Sequence, residues 1–395
     1  MLKKLSLALT IGASLATGAF AQTQGVTDTE VLVGSNNDLS GIFAAFGAPA
    51  VQAAQLHFDE VNANGGIHGR KIRFIVEDHA YQMPKAIAGL NKLVNGDKVF
   101  AMLLSLGTPM NIAAFKLQDA KQIPNVSPLS AARQMAEPFN NLHFAGTASY
   151  YEQIRQAVPY LAKETGKTKI CAAYLPTDFG TEVIGGAKAA AEESGDLEFV
   201  TETTHKPDDA DFVGALTKLN EAGCQMVVQA LGVRQAITLV ATAKKLGLND
   251  MAFLGSSAGF HSVIAKVPGG VTEGYYAAAG WSDLLARMDD PEVAKFSEAY
   301  VKASGEKFPG TGAVLGMSAA QTFTKALEAA GPDLTVESFI KGMESLNFKD
   351  PISDNVVDYA ADERQGADEI IISRVEGGDW KVLERIEAEA PKKDG

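Results

Sequence analysis

Short apolar runs alternate with amphipathic segments along this chain, and the regularity of that alternation leaves few architectures able to hold it. Residues 31–34 read as a strand, followed by a polar, glycine-bearing loop over 35–47. Residues 49–62 then place Val51, Ala54, Leu56, Phe58 and Val61 on the apolar side of a helix. Asn64-Gly65-Gly66 stops it, since glycine readily takes the left-handed conformation that follows a helix end. Strand 71–77, helix 84–93, strand 99–104, helix 110–121 and strand 125–127 continue the series. That βαβαβαβ order predicts a parallel sheet with helices on both faces.

A second series of the same kind opens near Tyr150: helix 151–165, strand 169–175, helix 181–194, strand 197–203, helix 212–222, strand 226–230, helix 236–246 and strand 252–255. Two consecutive series of similar length predict an α/β protein of two doubly wound parallel-sheet lobes. The length of 395 residues agrees, at the usual 100–200 residues per domain. Open sheets of this kind bind ligands beyond the carboxyl ends of their strands, so two facing edges would form a cleft.

The first residues set the expected compartment. Lys3 and Lys4 precede an apolar run over 5–20 that ends in Ala19-Phe20-Ala21. A positive start, a short apolar core and a small-x-small end describe a cleavable signal peptide, residues 1–21. The run is short for a spanning helix, which needs about 20 residues. With no cysteine near Ala21 for lipid attachment, the mature chain is expected free in the periplasm. Its net charge of −13 argues against nucleic acid and anionic membrane as partners. The two cysteines, Cys171 and Cys224, fall at the starts of predicted strands. Buried free thiols are the expectation there, although export would permit a bridge. The charged tail after Ile386 is expected to fray.

Motifs for catalysis fail on inspection. Gly255-Ser256-Ser257-Ala258-Gly259 matches the G-x-S-x-G nucleophile elbow and follows a strand. The only histidine beyond Ser257 is His261, with no acid between them, so the serine, acid, histidine order cannot be completed. Gly310-Thr311-Gly312-Ala313-Val314-Leu315-Gly316 resembles a phosphate loop. Its spacing fits neither dinucleotide nor nucleotide motif, and the run reads as a turn leading into a helix over 318–330. The six histidines are dispersed, with no metal-ligand spacing. No enzyme activity, cofactor or metal is expected.

Phe46-Gly47, then Phe58-Asp59-Glu60-Val61-Asn62-Ala63-Asn64-Gly65-Gly66-Ile67-His68-Gly69, then a strand ending Glu77-Asp78, carry a resemblance. So do Ile123-Pro124 leading to Ser127-Pro128, Asp178-Phe179-Gly180 and Glu273-Gly274-Tyr275. The chain resembles, over about 26–385, the type I periplasmic binding proteins of the branched-chain amino acid (leucine/isoleucine/valine) uptake group. The resemblance implies a monomeric receptor that traps a small-molecule solute by hinge closure and delivers it to the permease subunits of an ABC transporter. It also implies three crossings between lobes, near Gly146, Tyr275 and Gln365. Lobe one would hold 26–146 with 275–364, and lobe two 147–274 with 365–388.

Residue by residue, Thr108 matches the family's carboxylate-binding serine, and Thr108-Pro109 reads as the cap and first residue of a helix. A helix N-terminus suits a carboxylate through its free N–H groups. Ser130 lies beside the family's second contact, where Ala131 replaces a usual threonine. Phe46 and Phe179 stand where tyrosines are frequent. Tyr150 and Trp281 sit at crossings and would add aromatic walls. Phe43 and Tyr151 read as core. Gln229, at a strand end, is a further polar candidate, with Arg234 nearby. The departure that matters most is Ser256-Ser257, where amino acid binders of the group carry an acid for the ligand's ammonium. A buried ammonium without a counter-charge costs several kcal/mol. The expected solute is therefore a carboxylate without an α-amine, an aromatic or other hydrophobic acid, with Ser257 in place of the acid. The alternative is a branched-chain amino acid or amide.

Overall fold

The computed structural model describes residues 23–387; the predicted signal peptide, 1–21, and the tail after 387 lie outside the described residues. The first series is β1 (Glu30–Asn37), α1 (Ala44–Ala63), β2 (Lys71–Asp78), α2 (Met83–Asn91), β3 (Ala101–Leu103), α3 (Thr108–Lys121), β4 (Asn125–Val126) and β5 (His143–Phe144). The second is α4 (Tyr150–Thr165), β6 (Lys169–Tyr174), α5 (Asp178–Ser194), β7 (Glu198–Thr204), α6 (Val213–Glu221), β8 (Met226–Ala230), α7 (Val233–Lys245) and β9 (Ala252–Gly255). A single turn, α8 (Ser262–Ala265), and β10 (Tyr276–Ala279) follow. The remainder holds α9 (Pro291–Ser304), α10 (Thr311–Ala330), α11 (Val336–Glu344), the pair β11 (Asn347–Asp350) and β12 (Asn355–Asp358), and the hairpin β13 (Glu369–Glu376) and β14 (Asp379–Glu387). β5, of two residues, and β10, of four, are not in the series expected from the sequence.

Five parallel strands form one sheet in the order β2-β1-β3-β4-β5. Seven form the other, β14-β13-β10-β9-β8-β6-β7, parallel except at the β13–β14 hairpin and its junction with β10. Each therefore contains the same doubly wound order, with the ligand-binding switch point between its first and third strands. β10 corrects one expectation. Ala277 pairs with both Gly255 and Ser373, so the chain stays in the second sheet through Ala279, beyond the position near Tyr275 where it was expected to leave.

Cys171 and Cys224 are joined, against the expectation of free thiols. Because β6 neighbours β8 in the sheet, Cys171 lies within reach of Cys224, two residues ahead of β8, and the Cα atoms stand 5.8 Å apart.

Helix placement corrects two further expectations. α1 begins at Ala44, ahead of Pro49, which sits inside the helix. Proline has no N–H, so the Ala45 carbonyl one turn earlier loses its helical partner. His261 Nε2 supplies the replacement, donating to that oxygen at 3.1 Å. The glycine run after 310, expected as a turn, lies within α10. A Cβ on Gly312 would stand 2.3 Å from the Phe46 oxygen, and one on Gly316 2.1 Å from the Ala50 oxygen. Glycine here serves contact between backbones: α10 rests directly on α1, and this seats Phe46. Alanine is the better helix former by about 1 kcal/mol, yet Gly316→Ala is expected to lower stability by about 1–3 kcal/mol through overpacking. Thermal unfolding checks this; an unchanged or higher midpoint would mean that α1 yields.

Candidate ligand-binding site

The carboxyl ends of β1, β3 and β4 face the loops after β6 and β9 across a cavity of about 950 Å³, its open side included. Local structure aims the side chains. Buried Asp38 accepts the N–H groups of Gly41 (2.6 Å) and Phe43 (2.8 Å), which folds the β1–α1 loop so that Phe43 and Phe46 wall the cavity. Gly107, at φ +100°, turns the chain from β3 into α3; a Cβ there would stand 2.8 Å from Met110 Sδ. Gly107 is thus the residue before the helix, and Thr108, expected as the cap, is its first residue.

Thr108 Oγ1 lies 2.7 Å from Ser130 Oγ, and both residues are buried on the cavity wall. No side chain caps α3. The first N–H to enter its ladder is that of Asn111, to Gly107 O at 3.0 Å. The amides of Thr108 and Met110 therefore precede the ladder, and Pro109 has none. Two hydroxyls thus stand at the positive end of a 14-residue helix, an arrangement of donors and dipole that suits an anionic group. Tyr150 closes one side of it: its N–H donates to Ala131 O at 2.6 Å, and burial pushes its phenol up to about 12, keeping it neutral.

Aromatic rings line the cavity beside these hydroxyls. Phe43 meets Tyr81 at 4.7 Å and Phe179 at 5.8 Å, and Phe179 meets Tyr150 at 5.1 Å, all edge to face. Trp281 and Ser257 also line the space, Ser257 with its N–H held by Gln153 Oε1 at 2.8 Å. Seven of the eight expected site residues, Phe46, Thr108, Ser130, Tyr150, Phe179, Ser257 and Trp281, are thus brought to one cavity.

Gln229 is not among them. Its amide donates to the Tyr275 hydroxyl within the second lobe's core, because that phenol occupies the space beyond β8. Arg234 is exposed on α7, away from the walls. Phe43, read as core, is on the wall. Tyr81 was missed: it follows β2 through two consecutive left-handed residues, Ala80 (φ 48°) and Tyr81 (φ 54°). Its one signal in sequence is an aromatic just beyond a strand end. Tyr151 lies outside the walls, its ring 3.8 Å beneath the Arg133 guanidinium.

The nucleophile-elbow glycines have another purpose. A Cβ on Gly255 or Gly259 would stand 2.3 or 2.5 Å from the Tyr275 hydroxyl. His261 uses Nδ1 to accept the Val263 N–H and Nε2 to donate to Ala45, leaving neither nitrogen for Ser257. Among the described residues no His, Cys, Asp and Glu cluster could hold a metal ion, and no helix is long and apolar enough to cross a membrane. The cavity walls carry no Asp, Glu, His, Lys or Arg at all.

Comparison with known proteins agrees with this architecture. The chain is 23% identical over 315 residues, 77% of each chain, to the Leu/Ile/Val-binding protein homolog 7 of Brucella suis. A fatty acid ABC transporter substrate-binding protein from Thermomonospora curvata superposes with a TM-score of 0.83 at 27% identity, covering 93% of this chain and 95% of that one. A valine-bound branched-chain amino acid ABC transporter protein from Thermus thermophilus gives 0.82 at 22% identity, covering 92% and 97%. A benzoate complex of a solute-binding protein from R. palustris gives 0.79 at 20%, covering 92% and 98%. The model of the periplasmic binding protein family matches residues 30–379, and the chain belongs to that family.

Proposed function

We propose that this chain is the periplasmic solute receptor of an ABC uptake transporter, and that it binds a small carboxylate without an α-amine, an aromatic or other hydrophobic acid. The lobes would be 26–146 with 280–364, and 147–279 with 365–387, closing on the solute between them and presenting it to a permease. The observation that carries the reading is a cavity with hydroxyls at a helix N-terminus, aromatic walls and no charged side chain. An ammonium buried there would lack a counter-charge, at a cost of several kcal/mol. Thr108, Ser130 and the α3 amides would hold the carboxylate, and Phe46, Tyr150, Phe179 and Trp281 the apolar body, with Ser257 opposite. Similar proteins bind benzoate in one case and valine in another, so the architecture accommodates both classes.

Isothermal titration with benzoate and with leucine tests the reading. Benzoate-type acids are expected to bind and leucine to give no heat; tight leucine binding without response to acids would establish the amino acid alternative. Thr108→Val should weaken acid binding on the order of ten- to hundredfold, the range for a hydrogen bond to a charged group. Unchanged affinity in that variant would move the carboxylate elsewhere.

A further inference from the structure

We infer that the cavity has a second, apolar arm running into the first lobe along α10, and that the solute is an elongated acid whose chain fills it. This rests on the carboxylate-receptor reading above and extends it from the head group to the tail. Leu315, Ser318, Ala319 and Thr322 all line the cavity. Their spacing puts them on one side of α10, and the seven steps from Leu315 to Thr322 span about 10 Å at 1.5 Å per residue. Val357 and Tyr359, at and just after β12, line the same space.

Packing divides these residues: Leu315 rests against the aromatic cluster at the mouth of the arm, whereas Ala319, Val357 and Tyr359 do not. Phe43, Phe46, Tyr150 and Phe179 join the hydrophobic cluster continuous with the second sheet. Ala319, Val357 and Tyr359 join a separate cluster with Val126 and Phe144 of the first sheet. One cavity touching both clusters passes from the cleft into the first lobe. The carboxylate seat at Thr108 and Ser130 lies on the same cavity, so a tail anchored there can enter the arm. Strand ends on the arm are unusually shaped. Leu104 (φ 58°) and Ser127 (φ 44°), beyond β3 and β4, are both left-handed although neither is glycine, and both line the cavity. Such conformations are unfavourable and persist where surrounding structure enforces them, often at ligand sites. With no charged wall residue and only hydroxyls and an amide for polarity, the arm suits an uncharged hydrocarbon chain better than a second ionic group.

Calorimetric titration of the mature chain with benzoate, phenylpropanoate, octanoate and decanoate tests the inference. Each methylene that enters the arm should tighten binding about fourfold until the arm is full. Ser318→Leu narrows the arm from a half-buried position on its wall, and the ratio of decanoate to benzoate affinity should then fall at least tenfold. Thr322→Leu, one helical turn deeper, provides the same reading should the first variant fail to fold, with circular dichroism reporting folding. Benzoate binding with no gain from longer chains, or a ratio unmoved by both variants, would overturn the arm and leave the receptor reading intact. No binding of any acid would overturn both.

Discussion

Replacing Cys171 and Cys224 together by alanine should lower the free energy of unfolding by about 4 kcal/mol, the chain-entropy value for a loop of this length. The bridge spans 53 residues, a segment that contains α5, β7 and α6. In the unfolded chain it forbids those residues most of the separations they would otherwise sample, while the folded state has strands β6 and β8 side by side without it. Both sulfur-bearing residues are buried, Cys171 fully and Cys224 at 8% exposure, so a reductant should act only after unfolding. Urea titrations with and without reductant therefore compare the same native fold against two unfolded ensembles. The oxidised chain should have the higher midpoint, by about 1 M or more at ordinary urea sensitivities. Coincident curves for oxidised, reduced and double-alanine chains would show that the bridge contributes nothing.

The same cysteines illustrate where sequence reading stops. Periodicity located β6 and β8, but pairing depends on which strands are neighbours, and the order β7-β6-β8 is a property of the assembled sheet. The α/β alternation was legible because each helix and each longer strand carries its own apolar pattern. The glycines of α10 were misread because a glycine in a turn and a glycine under a neighbouring backbone look alike in one dimension. Pro49 misplaced the start of α1 for a related reason: only His261, more than two hundred residues away, makes a proline tolerable there. In the site, residues on predicted strand ends and crossings came together in the cavity, whereas Gln229 failed because burial of a polar side chain beside Tyr275 cannot be told from exposure to a cleft. The missing charge at Ser256-Ser257 was readable from sequence. That no other element fills the gap with a carboxylate is a fact of the folded cavity.

That distant histidine also makes stability depend on acid. Burial lowers both His261 and His57 from 6.5 to about 4; for His57, Glu60 opposes the shift and Lys325 adds to it. His79, His143 and His205 are lowered as well, again chiefly by burial. The unfolded chain takes up a proton at each ring near pH 6.5, whereas the folded chain holds the first two neutral until about pH 4. Between those values the unfolded state binds more protons, so stability is fully present above pH 6.5 and falls as the pH drops. His261 contributes on the order of 2–3 kcal/mol of that loss, and half-buried His57 somewhat less. Asp354, held at about 2 mainly by Lys349, Arg385 and Ser282 against the cost of burial, titrates below this window and does not account for it. His261 matters beyond its share because it bonds across the cleft. Its Nε2 proton serves the Ala45 carbonyl of α1, and its Nδ1 lone pair receives the Val263 N–H. Protonation removes that lone pair and places a charge beside Phe46, whose ring lies 4.7 Å away on the cavity wall. Urea midpoints measured from pH 7 to pH 4.5 should therefore decline, and His261→Gln, which can still donate to Ala45 but does not titrate, should decline less. A flat profile in the native chain, or an equal slope in the variant, would remove His261 from the account. Ligand affinity should follow the same profile, because the proton that destabilises the fold also loosens one of the contacts, beside Ser262–Thr311, that tie the segment after β9 to the helices of the first series.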